Sequence, residues 1–455
     1  MQQHTGTQSP PPGCPAHGNL SLYGTQFGSD PDGHYDYLRK LGPSAPVDIA
    51  PGVEVELVTS YDAALYILQN DATFVRDSRR WRALNEGRVP ADSPALPMMA
   101  YRPNALFSDG AAHARLRQAV TDSLVKVNEH RLARQVQQVA DYLIDQFSRQ
   151  RLGQADVVAD YATQLPLLVF SDLFGCPAAI GDRIIVGISG IFEGSPGANE
   201  ILGQALGELI ALKRRHPGDD ITSRLMEHSA NLTDEEMANQ LVTLLSGGTA
   251  PLAAAISTGT ALMLGDDKYA QTQTSAGLPV EDAVNEVLWK YAPIANYAGH
   301  YPVQDVELAG RMLKANDPVL ISFAAANTDP LMSEHRQRLS GRAHLAFGAG
   351  KHVCPAKDPA LVIAVTAIET LLSRLPDVEL RTPFADLSWT PAPWSRSLAS
   401  LPIRFTPRSM QAPSPAARTH NAPSPVPAPA LKQAAAPQPA KSTLWSRFLA
   451  WSKGE

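Results

Sequence analysis

The segment His344–Leu372, HLAFGAGKHVCPAKDPALVIAVTAIETLL, sets one thiol, Cys354, between two glycines and a long apolar run. Gly348 and Gly350 allow a tight backbone course that side chains would block. Beyond Pro355 and Pro359 the residues are apolar nearly all round, the pattern of a buried helix. The thiol is therefore expected in a glycine-bordered loop at a helix N-terminus, where backbone N–H groups favour an anion. Ionising a thiol of pKa about 8.5 at pH 7 costs roughly 2 kcal/mol, whereas a helix end returns only about 0.3–1 kcal/mol. A coordinated metal deprotonates the thiol outright, so an iron partner makes better sense of the site. The competing reading is a buried structural cysteine, and spacing alone leaves the two level.

Two further groups of residues have spacings that could serve chemistry. In Asp109-Gly-Ala-Ala-His113-Ala-Arg115-Leu-Arg117, His113 and Arg117 stand i, i+4 on one helical face. Donors so placed suit a pair of carboxylates, and a solvated helix face is the plain alternative. Thr233-x-x-Glu236 reads as a capping box opening a long helix. That helix contains Gly247, Gly248, Thr249 and Pro251. Pro251 frees the carbonyl of Gly247, and a kink is expected there.

Phe347-Gly348-x-Gly350-x-His352-x-Cys354 resembles the haem-binding loop of the cytochrome P450 family, and the likeness runs from about Gly24 to Pro407. It implies a prism-like, mainly α fold with a minor β portion. It also implies haem b (iron protoporphyrin IX), with the Cys354 thiolate as proximal iron ligand and Phe347, Gly348 and Gly350 shaping its loop. His113, Arg117, His352 and His300 match propionate contacts, with His300 standing where the family commonly has Arg. Ala356 stands where the family usually has Gly. The Gly247–Thr249 stretch is similar to the family's central helix, whose groove carries an acid followed by Thr. Here those positions read Thr249 and Ala250, so the acid is missing, and Thr249 could hold a water. Glu286-Val-Leu-Trp289 departs from Glu-x-x-Arg, so either Glu286 is protonated or a cation such as Arg336 or Arg338 compensates. Ala324–Pro330 and Pro393–Leu398 also resemble family segments, the latter a turn that reaches the substrate pocket.

The elements that must position these residues are legible in outline. Val53–Leu57 alternates as a half-buried strand does, and Tyr61–Leu68 has helical spacing. Helical periods recur over Ala112–Leu124, Val136–Phe147, Asn239–Leu264 and Val280–Tyr291. Strand-like pieces return at Val306–Leu308, Val319–Ser322 and Leu401–Phe405. Residues 1–20 read as a disordered N-terminus, 21–407 as the haem-thiolate domain and 408–440 as a Pro/Ala-rich linker. In 441–455, Leu444, Phe448 and Trp451 share one helical face, with Ser442 or Thr443 available as a cap. This end reads as an amphipathic docking helix for a protein partner or a membrane surface, the alternative being a frayed tail.

With 455 residues, 44% of them hydrophobic, and a net charge of -6, the chain has ample core and no basic footprint for nucleic acid. Three dispersed cysteines indicate neither a disulfide framework nor a zinc site, and fit a cytoplasmic setting. No signal peptide or transmembrane segment is expected. The leading function is a monooxygenase acting on a mostly apolar small molecule with electrons from a ferredoxin and ferredoxin reductase. That substrate would lie between the central helix, the Trp81–Leu106 loop and Ile294–Tyr297. Arg115, Lys126, Arg131 and Arg134 could meet an acidic ferredoxin or form an ordinary solvated face. Two other readings stay open: a haem-containing regulatory protein in a signalling complex, and an isomerase or peroxide-driven oxidase.

Overall fold

In the computed structural model the described residues are 19–150, 153–193, 197–270, 279–333, 341–406 and 443–454. Residues 1–18, most of the expected N-terminal extension, and the linker 408–440 lie outside them. The strands, in chain order, are β1 (Leu20–Ser21), β2 (Ser44–Ala50), β3 (Val53–Val58), β4 (Phe74–Val75), β5 (Gln154–Asp156), β6 (Asn296–Pro302), β7 (Val306–Leu308), β8 (Arg311–Leu313), β9 (Val319–Ser322), β10 (Glu379–Leu380) and β11 (Pro402–Arg404). The main sheet has the order β1-β2-β3-β9-β6-β4. Its β3–β9 pair is parallel, while β6 runs antiparallel to both β9 and β4. Strands β10, β11 and β5 form a small sheet, and β7 and β8 form a hairpin.

Helices make up most of the rest. They include α1 (Tyr61–Gln69), α2 (Gly110–Leu124), α3 (Glu129–Gln150), α4 (Gln164–Leu173), α5 (Ala178–Glu193), α6 (Ala198–Arg215), α7 (Asp234–Gly265), α8 (Val280–Lys290), α9 (Lys357–Arg374) and α10 (Leu444–Lys453). The largest core joins α3, α4, α5, α6, α7, α8 and α9, with residues such as Val136, Leu168, Leu209, Ile256, Val287 and Ile368 wholly or almost wholly buried. Helix α7 begins at the expected capping box, Thr233 and Glu236 each bonding the other's backbone N–H. Its helical run is unbroken through Pro251. It is also the one described helix long and apolar enough to cross a membrane. Leu241, Leu245, Ile256 and Leu262 of this helix lie in the protein's own core.

Glu286 is compensated by nearby cations, as one of the two expectations has it, but by lysines in place of the arginines named. Its carboxylate accepts hydrogen bonds from Lys268 at 2.7 Å, Tyr269 at 2.7 Å and Lys290 at 2.6 Å. Burial opposes ionisation, yet these three donors outweigh it and bring the carboxyl down to about 2. Glu286 is thus ionised, and its cations are lysines on its own and a neighbouring helix. Arg336 and Arg338 lie outside the described residues. Trp289 is buried in place of the expected arginine, and its indole N–H donates to the Gly341 carbonyl at 2.7 Å. The charge expected to be stranded is therefore compensated by a rewired network.

Helix α10 packs against the chain's own body. Trp445 is buried, and its indole N–H donates to the Cys176 carbonyl at 3.1 Å. A Cβ on Gly181 would lie 2.4 Å from the Trp445 ring, so glycine permits this seat. Phe448 stacks on Trp445 and meets the edge of Tyr142 at 5.4 Å. Asp182 of α5 caps the helix, accepting from the backbone N–H groups of Trp445 and Ser446 and from the Ser446 hydroxyl. The expected cap does not form at Thr443, which makes no side-chain bond to the helix, and Ser442 lies outside the described residues. The apolar face expected to meet a protein partner or a membrane is spent within the chain, because Gly181 and Asp182 offer it a fitted seat.

Two outcomes follow from these contacts. Glu286 has its folded value lowered from 4.5 to about 2, so its stabilisation is complete above pH 4.5 and lost as pH falls through 2. Glu286→Gln is expected to lower the urea midpoint at neutral pH and flatten its decline between pH 4.5 and 2, as followed by circular dichroism. Trp445→Ala is expected to release α10, raising amide exchange across residues 444–453 while amides of α7 stay protected.

Candidate functional site

The Cys354 loop is held by its own backbone. The N–H of Gly348 donates to the Leu345 carbonyl at 2.7 Å, and that of Cys354 to the Phe347 carbonyl at 2.8 Å. Gly348 and Gly350 take φ of 71° and 67°, in the left-handed region that L side chains avoid. At Gly350 a Cβ would also lie 2.1 Å from the carbonyl oxygen of Leu68, at the end of α1. Ala356 has φ of −103°, so this position makes no such demand and an alanine is accepted. Helix α9 follows directly, with no side chain bonding its first turn.

The thiol of Cys354 is largely enclosed. Burial pushes its pKa up, opposed by the backbone N–H of Ala356 and the charge of Arg117. Without a further positive centre the sulfur is a thiol; with a metal cation beside it, it is a thiolate. The donor chemistry therefore fits an iron.

A cluster of cationic and donor groups lies beside this loop. The rings of His113 and His352 are 4.0 Å apart. His113 is buried, and its Nε2 meets no partner. Arg117 donates to the Val353 carbonyl and to the Thr121 hydroxyl, tying α2 to the loop. Burial, then Arg76 and the nearby His113, His300 and Arg117, hold His352 well below the usual histidine range. Burial and then Arg117 lower His113 as well. The imidazoles are therefore neutral donors, and the standing charges are the two guanidiniums. Asp109 is the nearby carboxylate, 4.0 Å from His352, but it accepts from the backbone N–H groups of Arg76 and Asp77. An excess of positive charge and a buried unpaired imidazole nitrogen fit a ligand bearing carboxylates.

Of the expected residues, Phe347, Gly348, Gly350, His352, Cys354, His113, Arg117 and His300 are thus brought together. Arg76 joins them without having been expected. One sequence signal for it existed: a histidine at 300, where the resemblance calls for arginine, invites a search for another buried cation.

Gly247, Gly248 and Thr249 play separate parts on α7. A Cβ on Gly247 would meet nothing within 4 Å. One on Gly248 would lie 2.6 Å from the Phe170 ring, so this glycine serves the approach of α4. Thr249 is buried, and its hydroxyl donates to the Leu245 carbonyl at 2.6 Å. The three segments expected around a substrate do meet. Asn104 donates to Thr243 of α7 at 2.7 Å, and Tyr297 to the Met98 carbonyl at 3.0 Å. Trp394 packs edge-on against Tyr297 at 6.1 Å.

No family model matches the chain. It is similar to the cytochrome P450 monooxygenase PikC of Streptomyces venezuelae, with 31% identity over 416 residues that cover 88% of this chain and 96% of that one. It resembles the mycinamicin IV hydroxylase/epoxidase of Micromonospora griseorubida at 28% identity, covering 82% and 94% of the two chains. Among solved structures, CYP154C4 from Streptomyces sp. W2061 superposes with a TM-score of 0.76 at 27% identity, over 84% of this chain and 97% of that chain. Likeness over nearly the whole length of these enzymes joins a glycine-bordered thiol, a carboxylate-seeking cluster and the helical fold around them in one conclusion: the chain belongs to the cytochrome P450 family and is a haem monooxygenase.

Proposed function

We propose that the chain binds haem b through the Cys354 thiolate and hydroxylates or epoxidises a mostly apolar small molecule with electrons from a ferredoxin-type partner. One observation carries most of this reading. The partly buried Cys354 sulfur accepts from the Ala356 N–H and lies in the field of Arg117, whose guanidinium ties α2 to the same loop, beside a surplus of groups that seek carboxylates. When bound, the haem supplies oxygen activation and the transfer of one oxygen atom, with two electrons delivered from outside.

The chain's residues have definite work in that scheme. Cys354 would hold the iron through its sulfur, and the hydrogen bonds of its loop keep that sulfur in place. His113, Arg117, His300 and His352 would take the propionates, with His113 and His352 as neutral donors beside the charge of Arg117. On α7 the Thr249 hydroxyl spends its proton on Leu245, which leaves its oxygen free to accept from a water. No carboxyl stands at Thr249, Ala250 or Pro251, so protons reach this groove through water held by Thr249. Met98, Tyr297 and Trp394 present rings and carbon chains to the substrate, which favours an apolar one. The likeness to a mycinamicin IV hydroxylase/epoxidase supports small organic substrates as the class.

Arg115 is engaged by Glu236, and Arg131 lies 3.5 Å from Asp219. Those two are ordinary surface pairs, and Lys126 and Arg134 are left for an acidic ferredoxin. The altered groove, Trp289 and the tail are the sequence features that favour a regulatory reading. Trp289 is accommodated by its own hydrogen bond and the tail docks in cis, so neither lends support to that reading.

The test is the carbon monoxide spectrum of the reduced protein, followed by turnover with a ferredoxin, its reductase and oxygen. A strongly red-shifted Soret band and oxygen-dependent product from an apolar substrate panel are expected. Cys354→Ser is expected to abolish the red shift while leaving the apoprotein folded. A band typical of a neutral ligand, in the native chain, would overturn the thiolate assignment.

A further inference from the structure

Arg76 has a burial that its neighbours do not explain. Its side chain is 4% exposed. Among the described residues its one side-chain hydrogen bond is a long one, 3.4 Å from Nε to the Leu106 carbonyl. Among the described residues no carboxylate lies within ion-pair distance of its guanidinium, and Asp109 is occupied by backbone N–H groups. A buried charge without a partner is costly, and a cost of that kind is offset when a ligand supplies the counter-charge.

The sheet shows where that ligand would be. Strand β4 pairs with β6 so that Phe74 faces Pro302 and Val75 faces Tyr301. Continued by one residue, the register sets Arg76 opposite His300, and cross-strand neighbours lie about 5 Å apart. Side chains alternate between faces along a strand, so Arg76 and His300 share the face opposite Val75 and Tyr301. Arg76 is thus the neighbour, across one strand pair, of the position where the family resemblance calls for an arginine. His300 and His113 offer imidazole donors, but an imidazole supplies no permanent charge. A guanidinium supplies five donors and a charge that is never lost, in a fork that matches a carboxylate.

We propose that Arg76, the residue that follows β4, binds a carboxylate of the haem, taking over beside β6 the work of the arginine that His300 replaces. This rests on the haem reading above. With Arg117 it gives the cradle two permanent cations for two carboxylates, and His300 becomes an auxiliary donor.

The test is the rate at which the loaded protein loses haem to an excess of apomyoglobin, read from the Soret band. Arg76→Gln is expected to speed loss roughly ten- to hundredfold, the worth of one charge-assisted hydrogen bond. Haem dimethyl ester, whose carboxylates are blocked, is expected to leave the native chain and the variant at similar rates. His300→Arg, added to Arg76→Gln, is expected to restore most of the retention. Where Gln is not tolerated at a buried site, Arg76→Lys reads the same difference with several-fold faster loss of haem and none for the diester. Unchanged loss in Arg76→Gln overturns the proposal. Equal acceleration for haem and its diester also overturns it, since packing alone would then be the cause. A native chain that holds haem without the red-shifted band would fail the thiolate reading and leave the carboxylate contact to be judged on these rates.

Discussion

A Cβ on Gly350 would sit 2.1 Å from the Leu68 carbonyl, and this near-contact between two stretches of backbone fixes the site. The Cys354 loop can approach the end of α1 so closely only because both partners are bare main chain. From that fixed point the sulfur is set by the Phe347 carbonyl, and α9 departs at once. Asn327 adds a second anchor, donating to the Leu288 carbonyl and accepting from the Leu345 N–H. The loop is therefore clamped between α1, α8 and the start of α9, three elements brought together only by the folded chain.

The replacement of arginine by Trp289 shows how such a frame absorbs a change. A buried carboxylate needs donors, but their identity is open. Lys268, Lys290 and Tyr269 serve Glu286, and the tryptophan finds the Gly341 carbonyl instead. The ring of Trp289 also meets the edge of His344 at 5.8 Å, so it packs against the residue that opens the Cys354 segment. Burial and then Lys357 bring His344 down to about 4, which keeps it neutral and suited to an aromatic neighbour.

Much of this was legible in the chain itself, for reasons that differ by residue. Strand β3, α1, the capping box of α7 and the hairpin strand β7 follow from local period and capping, which neighbours did not override. The thiol loop was legible because left-handed glycines leave a mark in sequence. Arg76 was not, since a lone arginine after two apolar residues reads as a strand end on a wet surface. Its meaning depends on the register of β4 with β6, residues some 225 positions away. Ser442 and Thr443 were candidate caps by proximity, whereas Asp182, more than 260 positions away, does the capping. Local signals do not reveal a donor supplied by another helix. Trp445 was missed as the deepest residue of α10 for a related reason: the groove, through Gly181, chose it over Leu444.

A helix of ten residues is marginal by itself in water. With its first N–H groups satisfied by Asp182 of another helix, α10 gains its cap only when seated, so ordering and docking are one event. The segment 443–454 behaves as a ligand built into the chain. Because it belongs to the same chain, its occupancy does not fall when the protein is diluted. A free copy of the same peptide would have to compete against the attached one, and any surface near the chain's end is presented or hidden by a first-order equilibrium internal to each molecule.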